Sequence, residues 1–181
     1  RTFLTERAYL NLSLRYQTDK LEYENSNKKE LDFTKDFNGL YPTMNLAYTF
    51  NKKKGRMLSL GYRYYQSFPN FGYFFDVKEV YSDNSYSIGN PNLDPEHFHL
   101  AELTYTHNKA LNFVYSYRRG TDLVQVMTFT EEENPLVSYT KPENIGENHL
   151  HRFSVEARHS PFAWWFFKFT ARANYEDRTY G

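Results

Sequence analysis

The sequence predicts an all-β fold, an antiparallel up-and-down meander of about eight strands, on three observations. Runs of about ten residues alternate between apolar and polar side chains, the period of a strand with one greasy and one wet face. The chain holds 17 Tyr, 16 Phe and 2 Trp in 181 residues, yet its mean hydropathy is −0.80. So many aromatics in a polar chain suit two-faced strands better than a compact aliphatic core. No stretch shows a convincing amphipathic-helix period, and no apolar run approaches the ~20 residues a membrane helix needs.

The clearest strand runs from Ala8 to Gln17. Its even positions are Ala8, Leu10, Leu12, Leu14 and Tyr16, and its odd positions are Tyr9, Asn11, Ser13, Arg15 and Gln17. A weaker strand covers 20–23 and resumes near Leu31, beyond the polar tip ENSNKKE. Pro42 precedes a strand from Thr43 to Asn51 with Met44, Leu46, Tyr48 and Phe50 on one face. The turn NKKKG leads to Met57–Ser67, where Leu58, Leu60, Tyr62 and Tyr64 align. Residues 68–94 read as a long irregular stretch rich in Phe, Tyr, Asn, Gly and Pro. Strands His97–His107 and Leu111–Phe129 flank the turn NKA, and 130–148 reads as a second irregular loop. SPFA then joins His149–His159 to Trp164–Tyr175. The pattern Leu-x-Tyr-Thr-x-Asn-Lys occurs at 46–52 and again at 103–109, marking two equivalent hairpins of one sheet.

Short connections at 51–55, 107–110 and 160–163 alternate with long ones at 68–94 and 130–148. Small turns on one rim and large loops on the other are the habit of outer-membrane barrels. Basic and acidic residues balance at 22 each, so nothing favours nucleic acid. With no cysteine there is no disulfide framework and no thiol chemistry. There is no phosphate loop, nucleophile elbow or H-E-x-x-H motif, and Glu102 and Glu156 stand as lone carboxylates on strand faces. The expectation is a protein that is not an enzyme and takes no cofactor. The polar faces carry Glu102, Thr104 and Thr106, then Arg152, Ser154, Glu156 and Arg158, then Lys168, Thr170, Arg172 and Asn174. Charges so interspersed cannot line a dry core. They suit a wet lumen or the solvent face of a soluble antiparallel sheet. A soluble all-β carbohydrate- or protein-binding domain is therefore the alternative reading.

Two strands share one pattern on their odd positions. His97, His99, Ala101, Leu103, Tyr105 and His107 match His149, His151, Phe153, Val155, Ala157 and His159. At ~3.3 Å per residue and a tilt near ~40°, the eight steps from His99 to His107 rise about 20 Å, close to the roughly 25 Å apolar band of a barrel. These six imidazoles, with Trp164 and Trp165 after a short turn, are the expected membrane-interface residues. A His-x-His pair also places two rings on one face, as in a two-histidine metal site. The two pairs lie on strands separated by a third and carry no Cys or carboxylate spacing, so no metal site is expected.

The sequence further resembles the outer-membrane β-barrel region of Bacteroidetes-type TonB-dependent-receptor-like proteins. LYPTMNLAYTF, LSLGYRYYQSFPNFGYFF, YSIGNPNLDPEHFHLAELTY, YRRGTDLVQVM and YTKPENIGE resemble successive family segments in the right order. Gly89-Asn90-Pro91 through Pro95-Glu96 is the most specific part. The family's Arg-Pro is Phe68-Pro69 here, and its Asn-Pro-Phe is replaced by Phe74-Phe75-Asp76. The resemblance implies a bacterial outer-membrane receptor for TonB-dependent nutrient uptake. It also implies a barrel of about 22 strands with a plug, of which residues 1–181 form one excised wall segment with open edges. Implied partners are outer-membrane lipid, the plug and TonB system through the parent chain, and an unknown nutrient ligand. Loop aromatics Phe71, Tyr73, Phe74, Tyr81 and Tyr139 are the candidate ligand contacts.

Overall fold

The alternating segments pair with their sequence neighbours to build one curled sheet. The computed structural model describes residues 2–24, 32–108, 110–162 and 164–180. The polar tip at 25–31, and Lys109 and Ala163 of two short turns, lie outside them. In chain order the strands are β1 Thr2–Thr5, β2 Ala8–Tyr23, β3 Phe33–Asn51, β4 Arg56–Ser67, β5 Glu79–Ser82, β6 Ser85–Ser87, β7 Glu96–Asn108, β8 Leu111–Thr130, β9 Ser138–Phe162 and β10 Trp165–Tyr180. A 3₁₀ turn covers Phe71–Phe74. The meander β1-β2-β3-β4-β7-β8-β9-β10 is antiparallel throughout and curls into a half-barrel of eight strands. β5 and β6 form a hairpin inside the β4–β7 loop, and β6 adds in parallel to the edge of β9, Ser85–Ser87 against Ser138–Thr140.

The register converts alternation along each strand into two continuous faces. Leu10, Leu46, Leu60, Leu103, Tyr115, Phe153 and Ala173 stand abreast across seven strands. One residue along, the row is Asn11, Asn45, Gly61, Glu102, Ser116, Arg152 and Asn174. A slip of one residue anywhere would exchange the two rows, so the pattern itself pins the register. The apolar row is open to its surroundings: Leu12 is 67% exposed, Leu103 41% and Phe153 54%. Soluble monomers rarely expose an apolar face of this breadth.

The interior core is small and lies under the β4–β7 loop. Phe37, Phe74 and Leu93 are buried together, with Leu21 and Val124 packed against them. Helical elements contribute only the 3₁₀ turn among the described residues.

Four strands run further than alternation predicts, among them β10, which continues to Tyr180. β2 is continuous to Tyr23, and β3 begins at Phe33 and passes through Pro42. Most of the expected loop 130–148 is strand, because β9 starts at Ser138 and leaves only 131–137 as the connection. Proline is tolerated in each case because the ladder has a gap beside it. Pro42 sits one residue beyond the last β3–β4 pair, Thr43 with Arg63. Pro142 lies between the stretch of β9 paired with β6 and the stretch paired with β10. A bulge at residues 120–124 of β8, with Asp122 at φ 57°, twists the paired outer ends of β8 and β9.

Candidate functional site

The site begins with the segment GNPNLDPE, which fastens the long loop to the barrel rim. A Cβ on Gly89 would lie against the Phe75 carbonyl, so only glycine fits there. The Gly89 amide donates to the Phe75 carbonyl at 3.0 Å, and the Asn90 amide donates to the Tyr73 carbonyl at 2.6 Å. Asn90 is buried, and its Nδ2 donates to the Pro142 carbonyl at 2.9 Å and to Glu143 at 3.2 Å. Leu93 is fully buried beside Phe74, and Lys35 donates to its carbonyl. Asn144 then closes a three-way staple. Its Oδ1 accepts from the Asp94 amide at 2.8 Å, and its Nδ2 donates to the carbonyls of Asp94 at 2.9 Å and Asp122 at 2.7 Å. Glu96 finishes the segment by accepting from the Val124 amide at 3.0 Å. Each polar group is satisfied by the loop or wall it joins, as buried polar atoms require.

This fastening leaves a cleft of about 620 Å³ between the loop and β9. Tyr73, Tyr81, Lys78 and Glu79 line it, with Val126, Thr140 and Pro142 as its floor. Behind it, β6 carries Tyr86 onto Tyr139, ring centroids 5.2 Å apart at 8°, and Tyr139 onto Phe129 at 5.4 Å. Lys78 caps the stack, its Nζ 3.6 Å from the Tyr86 centroid and 3.6 Å from Glu131. Desolvation, then the hydrogen bond to Glu131 and its charge, push the Tyr86 hydroxyl up to about 12.

Of the loop aromatics singled out from sequence, Tyr73 and Tyr81 share this cleft, and Tyr139 lies in the stack beside it. Phe71 is exposed and packs edge-on to Phe75 at 4.8 Å, in a second hollow with Phe68 and Pro69. Phe74 is 1% exposed and holds the loop down. Alternation gave no sign of Lys78, Tyr86, Asn90 or Asn144. Their roles come from the parallel β6–β9 pairing, which joins segments 53 residues apart. Asn90 and Asn144 fall within the family-like segments GNPNLDPE and YTKPENIGE, and Tyr86 sits in the pair SYS and SYT, now register partners.

The histidines all lie on strand faces of the apolar row, at its two ends. At the long-loop end each is hydrogen-bonded through Nδ1 to a cross-strand tyrosine hydroxyl. His99 meets Tyr62 at 2.8 Å, His97 meets Tyr64 at 2.5 Å, His151 meets Tyr115 at 2.9 Å and His149 meets Tyr117 at 2.6 Å. The rings of Tyr64 and His97 stack at 10°. At the short-turn end His107 lies 3.3 Å from the Tyr105 hydroxyl, and His159 packs edge-on to Phe167. Trp164 stacks between Phe162 at 7° and Trp165 at 12°, and Trp164 is 82% exposed. Among the described residues no three His, Asp or Glu side chains gather as a metal site.

The reverse face is charged. Glu156 takes Arg158 at 2.6 Å and Lys168 at 2.5 Å, Glu176 takes Arg178 at 2.9 Å, and Arg152 donates to Asn174 at 3.1 Å.

Comparison with known proteins agrees with this geometry. A profile of the outer membrane protein β-barrel family matches residues 7–181. The copper transporter OprC has a similar fold over 96% of this chain and 27% of its own, with a TM-score of 0.65 and 16% identity. The outer membrane transporter YddB from Escherichia coli aligns over 92% of this chain and 30% of its own, at a TM-score of 0.45 and 12% identity. The chain thus spans under a third of the length of either structure. No curated protein matches it. The sheet is a stretch of outer-membrane barrel wall, and the chain belongs to the outer membrane protein β-barrel family.

Proposed function

We propose that this chain is the wall of an outer-membrane receptor that imports a solute, with a plug drawn aside through the TonB system. The observation that carries the reading is the pair of rows one residue apart, one apolar and half-buried to exposed, the other largely polar and charged. Such a wall separates lipid from a wet passage. The likeness of fold to OprC supports a transporter, while copper belongs to that protein alone. Ligand would meet the loop cleft through Tyr73 and Tyr81, with Lys78 and Glu79 beside them, while Tyr139 backs the cleft in the ring stack and Phe71 faces the second hollow. Phe74 has no surface to offer. The imidazoles and tryptophans at the two ends of the apolar row mark the membrane borders. A soluble sheet-like binding domain would have to leave the apolar row in water.

Fractionation and uptake test the reading together. The intact protein should sediment with outer membranes and need detergent for monodispersity. A strain lacking TonB should lose uptake of its solute as completely as a strain lacking the protein. Recovery as a monodisperse, detergent-free protein would contradict it.

A further inference from the structure

We propose that the lumenal face between β3 and β4 holds an anion-binding recess, so that the imported solute carries carboxylate or phosphate groups. The proposal rests on the receptor reading above and names its substrate class. The two strands part after Thr43 and Arg63, one residue short of Pro42. Beyond that point β3 stays with β2, and β4 stays with β7. The Tyr41 ring closes the floor of the gap, 7% exposed, its hydroxyl donating to Gln66 at 2.7 Å. The hollow so formed is about 670 Å³, within the range of small-molecule sites. Two guanidiniums line it. Arg15 lies over Tyr41 at 5.1 Å, and Arg63 over Tyr65 at 5.3 Å.

What sets these arginines apart is that both open into one hollow; like Arg118, Arg152 and Arg172 on the same face, they are held by no carboxylate among the described residues. Arg158, Lys168 and Arg178 on the same face each hold a glutamate. Among the described residues, neither Arg15 nor Arg63 forms an ion pair. Glu102 shares a neighbouring hollow with Arg63 and is not bonded to it. Each guanidinium lies over a tyrosine ring, and arginine grips carboxylate or phosphate with two parallel bonds from its edge donors. The hydroxyls of Ser13 and Thr43 line the same hollow. Strand spacing and register put the two arginine Cα atoms roughly 12 Å apart, a span for a solute with more than one acid group.

Calorimetry on the intact protein in detergent at low salt tests this with citrate, inorganic pyrophosphate and sucrose as probes. Saturable binding of citrate, pyrophosphate or both, with none of sucrose, is expected, and the preferred anion separates carboxylate from phosphate chemistry. The Arg15→Gln/Arg63→Gln double variant should bind that anion at least tenfold more weakly, and Arg63→Lys should fall between. Arg172→Gln, on the same face but four strands from Arg63, should bind as the parent does. Should the double variant fail to fold, Arg63→Lys alone carries the comparison. Binding of neither anion, equal binding of sucrose, or a double variant as tight as the parent would overturn the proposal. So would an acidic protein segment cross-linked into the recess in place of a solute. Uptake is scored separately: TonB-dependent uptake without anion binding sinks the recess alone, while loss of TonB dependence sinks the receptor reading.

Discussion

Single residues decide whether the long loop stays seated. Leu93 is wholly enclosed, so Leu93→Ala should destabilise the seated loop by about 2–5 kcal/mol. Asn90→Ala strands the Pro142 carbonyl and should cost about 1–3 kcal/mol. Both read out as faster protease cleavage within 68–95, with the barrel strands still resistant. Tyr86 adds a pH dependence. Its hydroxyl is raised from 10 to about 12, so the folded loop favours the neutral form. The stabilisation is complete below pH 10 and is lost as pH rises towards 12. Absorbance at 295 nm should show a late-titrating tyrosine that Tyr86→Phe removes, and loop cleavage in the parent should accelerate over the same window.

Strands translate sequence period into faces, and their limits show what the sequence could reveal. Alternation identified Ala8–Gln17, 43–51, 57–67 and 97–107 because one face of each meets lipid and the other water. It broke β2 at Thr18–Asp19, although it read 20–23 as strand, and it failed at Ser138–Asn148, where the strand continues past the last apolar outward residues and no contrast between faces remains to be read. Pro142 and Gly146 then looked like loop residues. In fact one faces a gap in the ladder, and the other gives room to Leu123 at the bulge. The candidate site was half legible. Tyr73 and Tyr81 belong to a loop visible from composition, but the cleft they share depends on a parallel pairing that no local signal announces. The face assignment predicts opposite outcomes for neighbours on β7. Leu103→Arg should destabilise the barrel in lipid vesicles by about 2–4 kcal/mol, as an arginine does near the bilayer midplane. Thr104→Arg, one residue on and on the polar face, should fall within about 0.5 kcal/mol of the parent. Denaturant unfolding of the refolded proteins compares the two.

At the scale of the whole molecule, the sheet is a curled wall with one greasy and one wet surface, a fastened loop above it and aromatic borders at both ends. β10 pairs only with β9, and β2 beyond Leu10 has no strand on its outer side among the described residues. Such edges take further strands in a closed barrel. Localisation, and with it the proposed passage and solute recognition, depends on which surface faces the acyl chains. Because the chain has no cysteine, single cysteines can be placed without background. Spin labels at Leu103, Phe153 and Val155, and at Thr104, Arg152 and Ser154, in the protein in lipid bilayers measure that orientation directly. Labels on the first three should be relaxed by oxygen and shielded from a water-soluble nickel chelate, and those on the second three should show the reverse. Nickel access at the first set, or oxygen preference at the second, would contradict the account.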